Sequence, residues 1–152
     1  MRKRDIKLDK YGISKKRYME LRSLCEQYPE WRQILADETS TVKSKVITGM
    51  PLSRDPMNNA TESLAIRRAV YSSRCAIIEN IAEKASKELN GFLIKSVCYG
   101  LPLNYLQTVE GLPYSRSRFY DLRRYFFYLL DLEMVKYEYF ANGVLWGHKN
   151  GI

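Results

Sequence analysis

The chain reads as an all-α protein: a compact helical domain with a C-terminal helix-turn-helix, ending in a short β-hairpin or an irregular tail. Three observations predict this. Apolar residues recur at steps of three and four over long stretches, the period of a helix with one buried face. Good N-cap residues stand where those stretches begin, at Ser14, at Asn59 or Thr61, and at Ser115. Glycine and proline mark the joints, at Pro29, Asn90-Gly91, Gly100-Leu101-Pro102 and Gly111-Leu112-Pro113.

The first seventeen residues, MRKRDIKLDKYGISKKR, hold eight basic residues and two acidic ones. Residues 1–13 are therefore read as a basic arm, either reaching for phosphates or simply solvated. A helical domain over residues 14–100 follows. Behind Ser14, the residues Tyr18, Leu21, Cys25 and Tyr28 fall on one helical face, widened by Leu24. Pro29 ends that helix or opens the next, in which Trp31, Ile34 and Leu35 turn inward. The stretch at about 40–60 carries Gly49, Pro51, Pro56 and Asn58-Asn59 and reads as a long mobile loop.

A long helix is expected from about Thr61 to Lys87, with Ile66, Ala69, Val70, Ser73, Ile77 and Ile81 as its apolar stripe. The small residues Ala69, Ser73 and Ala76 allow another helix to come close. Asn90-Gly91 breaks it, and a short helix using Phe92, Leu93, Ile94 and Val97 runs to Gly100. Residues 101–131 form the helix-turn-helix. Its first helix starts at Pro102 and buries Leu103, Leu106 and Val109. In residues 132–152 the Asn142-Gly143 pair signals a hairpin, since both residues accept positive φ.

The bulk numbers narrow the function. A chain of 152 residues suits one domain, and a net charge of +8 favours polyanionic partners. Cys25, Cys75 and Cys98 are few, odd in number and far apart, so they read as reduced thiols rather than a zinc site. There is one histidine, His148, with no carboxylate cluster, phosphate-cradling glycine loop or nucleophile–base pattern. The expectation is a protein that is not an enzyme and takes no cofactor or metal. With no apolar leader and no membrane-length apolar run, it is placed in the cytoplasm of a bacterial cell.

The segment LPYSRSRFYDLRRYFFYLLD, residues 112–131, carries the chemistry. It packs four arginines, four tyrosines and three phenylalanines into twenty residues. At about 100° per residue, Phe119, Leu122, Phe126, Leu129 and Leu130 share an arc of roughly 100°. Ser117, Tyr120, Asp121 and Arg124 lie opposite, with Arg116 and Arg123 on one flank and Arg118 on the other. A helix that enters the major groove needs this arrangement. Arginine pairs bidentately with guanine edges there, and flanking arginines hold phosphates beside the positive helix end. The expected DNA-binding residues are Ser115, Arg116, Ser117, Arg118, Tyr120, Asp121, Arg123 and Arg124.

The run LNYLQTVEGLPYSRSRFYDLRRYFFYLL resembles the helix-turn-helix of sigma factor region 4. The matching residues are Ser115 as cap, Phe119 four residues on, Arg123 and Arg124, then Phe126 and Leu130. Its GLPYS turn is about two residues longer than the usual pattern. The stretch Tyr11 to Asp131 also resembles small phage proteins of Firmicutes, in the style of the ArpU and RinA regulators of late phage genes. YGISKKRYMELRSLCEQYPEW, TVKSKVITGMP, AIRRAV, FLIKSVCYGLPLNYL and SRFYDLRRYFFYLLD carry that likeness. It implies an all-α protein that binds phage promoter DNA and activates late genes. The expected partners are double-stranded DNA, host RNA polymerase and a second copy of the chain. A small terminase type of packaging protein and a basic structural adaptor are the alternatives.

Overall fold

The computed structural model describes residues 8–44 and 56–143, and the fold over them is all-α, with no strand among those residues. Six α-helices follow in order: α1 Lys15–Glu26, α2 Tyr28–Ser44, α3 Pro56–Ala85, α4 Asn90–Val97, α5 Leu103–Thr108 and α6 Arg116–Glu138. A 3-10 turn at Asp9–Tyr11 precedes them, and a π-helical turn at Tyr139–Gly143 extends α6. α3 is the spine, packed against α2, α4 and α6, while α1 closes the other side against α6 and α4.

The capping chemistry sets the boundaries. Ser14 adopts extended backbone and accepts the Arg17 N–H at 3.2 Å, satisfying one orphan donor of α1. One residue, Gln27, separates α1 from α2, so Pro29 falls in the first turn of α2, where its missing N–H costs nothing. α3 ends earlier than expected. Ser86 Oγ accepts the Leu89 N–H at 3.2 Å and Asn90-Gly91 opens α4, so the break lies upstream of the glycine.

One core runs through the molecule. Tyr18, Leu21, Cys25, Tyr28 and Trp31 meet Cys75, Ile78, Ile81 and Ala82 from α3, and Phe119, Phe126, Phe127 and Leu130 from α6. Tyr18 meets Phe127 edge-on at 5.1 Å. Arg17 ties α1 to the second half of α6: its Nε donates to Asp131 at 2.7 Å and its Nη1 to Glu138 at 3.2 Å. Cys25, Cys75 and Cys98 are all buried as free thiols. A hydrogen bond with Cys98, together with burial, pushes the Cys25 thiol well up, so it stays protonated and unreactive.

Several expectations need correction. Residues 8–13 are anchored to the core rather than forming a free arm: Leu8 and Ile13 are buried, and Tyr11 stacks on Tyr128 at 4.9 Å, while Asp9 and Lys10 stay exposed. Residues 1–7 lie outside the described residues, as do residues 45–55 of the expected loop, which is bounded by α2 through Ser44 and α3 from Pro56. Asn142-Gly143 sits in helical backbone, because no glycine or proline interrupts the chain between Asp131 and Ala141. Residues 144–152 lie outside the described residues. In α3 the first half of the expected stripe is not buried: Ile66 is 58 % exposed, and Val70 and Ser73 are exposed with it. Val109 caps α5 and faces solvent.

Candidate nucleic-acid interface

The expected helix-turn-helix at 101–131 corresponds to α5 and the first half of α6. Two glycines make its turns. Gly100 before α5 has φ of 68° and Gly111 before α6 has φ of 74°, left-handed values that β-carbons disfavour. The long connection from Val109 to Ser115 is nevertheless pinned. Leu112 is buried and its N–H donates to the Leu106 carbonyl at 2.8 Å. Gln107 Nε2 donates to the Tyr114 carbonyl at 3.0 Å, and Lys95 pairs with Glu110. Leu106 of α5 and Phe119 of α6 are both fully buried in the one core cluster, and the Arg116–Asn104 bond links the two helices directly. The extra residues of GLPYS are thus absorbed by a held turn, with Leu112 tucked beneath it.

Ser115 caps α6, its Oγ accepting the Arg118 N–H at 3.4 Å. The cap leaves the positive end of a 23-residue helix in solvent. Ser115, Arg116, Ser117, Arg118 and Asp121 are exposed there. Two of the arginines are held in place. Arg116 Nη2 donates to Asn104 Oδ1 of α5 at 3.2 Å. The Arg118 guanidinium lies over the Tyr114 ring at 4.5 Å from its centroid. These contacts restrict the rotamers of both arginine side chains.

Further along α6 the expected residues separate. Arg124 is half-buried and its Nη1 pairs with Asp121 Oδ1 at 2.7 Å, one turn back. That pair opens onto a groove it shares with Asp9, Lys10 and Tyr11, so the N-terminal turn stands beside the second and third turns of α6. Arg123 does not join the exposed set. Its Nε is buried without a hydrogen-bond partner among the described residues, and its guanidinium lies 5.7 Å from the Tyr120 ring. Burial lowers its pKa from the usual arginine value. The geometry explains this. Phe119, Arg123, Phe126, Phe127 and Leu130 follow steps of four, three, one and three, which places Arg123 in the middle of the buried face. It faces α1 rather than the solvent expected for a phosphate contact.

Asn104 and Tyr114 are the residues of the candidate interface that sequence reasoning missed, whereas Lys10 belongs to the basic segment already read as reaching for phosphates. Asn104 stands twelve residues before the arginine it holds, and nothing in helical periodicity links them. Tyr114 carried a fainter signal, as an aromatic four residues before Arg118 across a cap.

Among the described residues no group of three or more His, Cys, Asp or Glu side chains is placed to hold a metal ion, and no helix is long and apolar enough to cross a membrane. No family model, curated protein or solved structure matches the chain.

Proposed function

We propose that the chain binds double-stranded DNA, with the first two turns of α6 entering the major groove, and regulates transcription in the manner of late phage gene activators. One observation carries the reading. Arg116, Ser117 and Arg118 stand exposed at the capped, positive end of α6, on a turn fixed by Leu106, Leu112 and Phe119. Arginines held by Asn104 and Tyr114 present cations to the phosphate backbone. Ser117, Asp121 and Arg124 are the side chains placed to meet base edges, with Asp121 orienting the Arg124 fork. Lys10 flanks them and supplies a further phosphate contact. The resemblance of residues 11–131 to phage regulators is what supports the late-promoter class, a bacterial cytoplasmic setting and host RNA polymerase as the second partner in this reading.

The test separates base reading from phosphate binding. Arg124→Ala weakens binding to the preferred sequence by about 1–3 kcal/mol and relaxes its selectivity. Arg116→Ala weakens binding evenly on preferred and scrambled duplexes. Equal losses on every duplex for both variants overturn the assignment of Arg124 to a base.

A further inference from the structure

α3 carries two apolar faces, and the fold covers only one of them. Cys75, Ile78 and Ala82 turn into the core. The other face runs through Ile66, Ala69, Ser73, Ala76 and Asn80 in alternating steps of three and four, the spacing of a coiled-coil seam. All five are exposed, with Ile66 at 58 % and the adjacent Val70 at 39 %. The seam's flank is a groove of about 400 Å³ between α3 and α6, where Ser73, Ile77 and Ile81 face Glu133 and Tyr137.

The charges at the ends of the seam say what covers it. Glu62 lies eleven residues before Ser73 and Lys84 eleven residues after it. Neither has an ion-pair partner among the described residues. In an antiparallel pair of α3 helices with a twofold axis at Ser73, each residue meets the one equally far on the other side. Lys84 then meets the partner's Glu62 twice, once at each end. On either side of the axis large side chains meet small ones, Val70 the partner's Ala76 and Ile77 the partner's Ala69, while farther out Ile66 meets the partner's Asn80. A parallel pair opposes Glu62 to Glu62 and Lys84 to Lys84, which is repulsive at both ends.

We infer that α3 pairs antiparallel with α3 of a second copy, about an axis at Ser73, so that the chain is a homodimer. The inference does not rest on DNA binding, and its test does not involve DNA. Sedimentation equilibrium of the full chain is measured from about 1 to about 200 μM, the range in which modest interfaces dissociate. The mass rises with concentration from 17.9 kDa toward twice that value. Ser73→Arg places two like charges at the axis and weakens dimerisation about tenfold or more. Its far-UV helix signal is unchanged, since position 73 is exposed in the single chain. Glu62→Lys and Lys84→Glu each weaken the dimer about threefold, and the double exchange restores it. A mass that stays at one chain over the whole range overturns the proposal. So does a dimer indifferent to Ser73→Arg, or a double exchange that fails to rescue.

Discussion

Replacing Arg116 and Arg118 by glutamine tests whether the capped end of α6 faces phosphates. Both side chains are exposed and each is held by a neighbour, Arg116 by Asn104 and Arg118 by the Tyr114 ring. A cation that neutralises one phosphate contributes about 0.9 to the slope of log affinity against log salt. Between 50 and 200 mM salt, that slope corresponds to roughly a 3.5-fold loss of affinity per contact. The double variant should therefore lower the slope by about 1.8 and bind roughly tenfold less salt-sensitively over that range. Arg123→Met is the internal control. Its guanidinium is tucked beside Tyr120 with a buried, unpartnered Nε, so its loss leaves the slope unchanged. The assay is fluorescence anisotropy of a labelled duplex, titrated at four or more salt concentrations. An unchanged slope in the double variant, or an equal drop in Arg123→Met, refutes the assignment of these side chains.

The fold offers further tests. Phe119→Ala empties a fully buried site in the first turn of α6 and should cost about 3–5 kcal/mol in urea unfolding. Ser115→Ala removes the cap of α6 and should cost about 1 kcal/mol by the same measurement, with DNA binding weakened as the helix end frays. Tyr28 donates to Glu79 at 2.6 Å, and burial, aided by that bond, pushes its phenol pKa up. The folded state thus holds this proton more tightly than the unfolded chain, whose phenol titrates near pH ~10. The resulting stability is complete below about pH 10 and is lost as pH rises from there through the folded value. Tyr28→Phe should cost about 1 kcal/mol at neutral pH, because Glu79 is partly exposed, and should show a shallower loss above about pH 10. Urea midpoints from pH 7 to 11 check both parts.

The helices were legible because they obey local rules. Ser14 and Ser115 cap where a helix former follows a turn, and Tyr18, Leu21 and Cys25 bury at helical spacing. Residues 8–13 were not, because charge density at a chain end hides two apolar residues, Leu8 and Ile13, that a tertiary neighbour covers. The α6 stripe was read about 60° away from the buried face, at about 100° per residue. Weighting Leu122 and Leu129 moved its centre away from Phe127, and that shift put Arg123 on a flank instead of the buried face. Periodicity gives a stripe's width better than its centre when five aromatic and aliphatic residues crowd together. In α3 the stripe itself was real, but burial depends on which face α2 and α6 cover, a tertiary fact. The candidate interface arginines divide on the same ground: Arg116 and Arg118 follow from the cap and exposure, whereas the Asn104 and Tyr114 contacts depend on tertiary placement.

Selection of bound duplexes from a random pool at physiological salt tests the central claim most directly. The expected result is enrichment of a short motif by the wild-type chain. Arg124→Ala is expected to lose preference at one position of that motif, while Arg123→Met keeps it whole. Retention of DNA with no enriched motif, or no retention of duplex DNA at all, contradicts a regulator that reads sequence through α6.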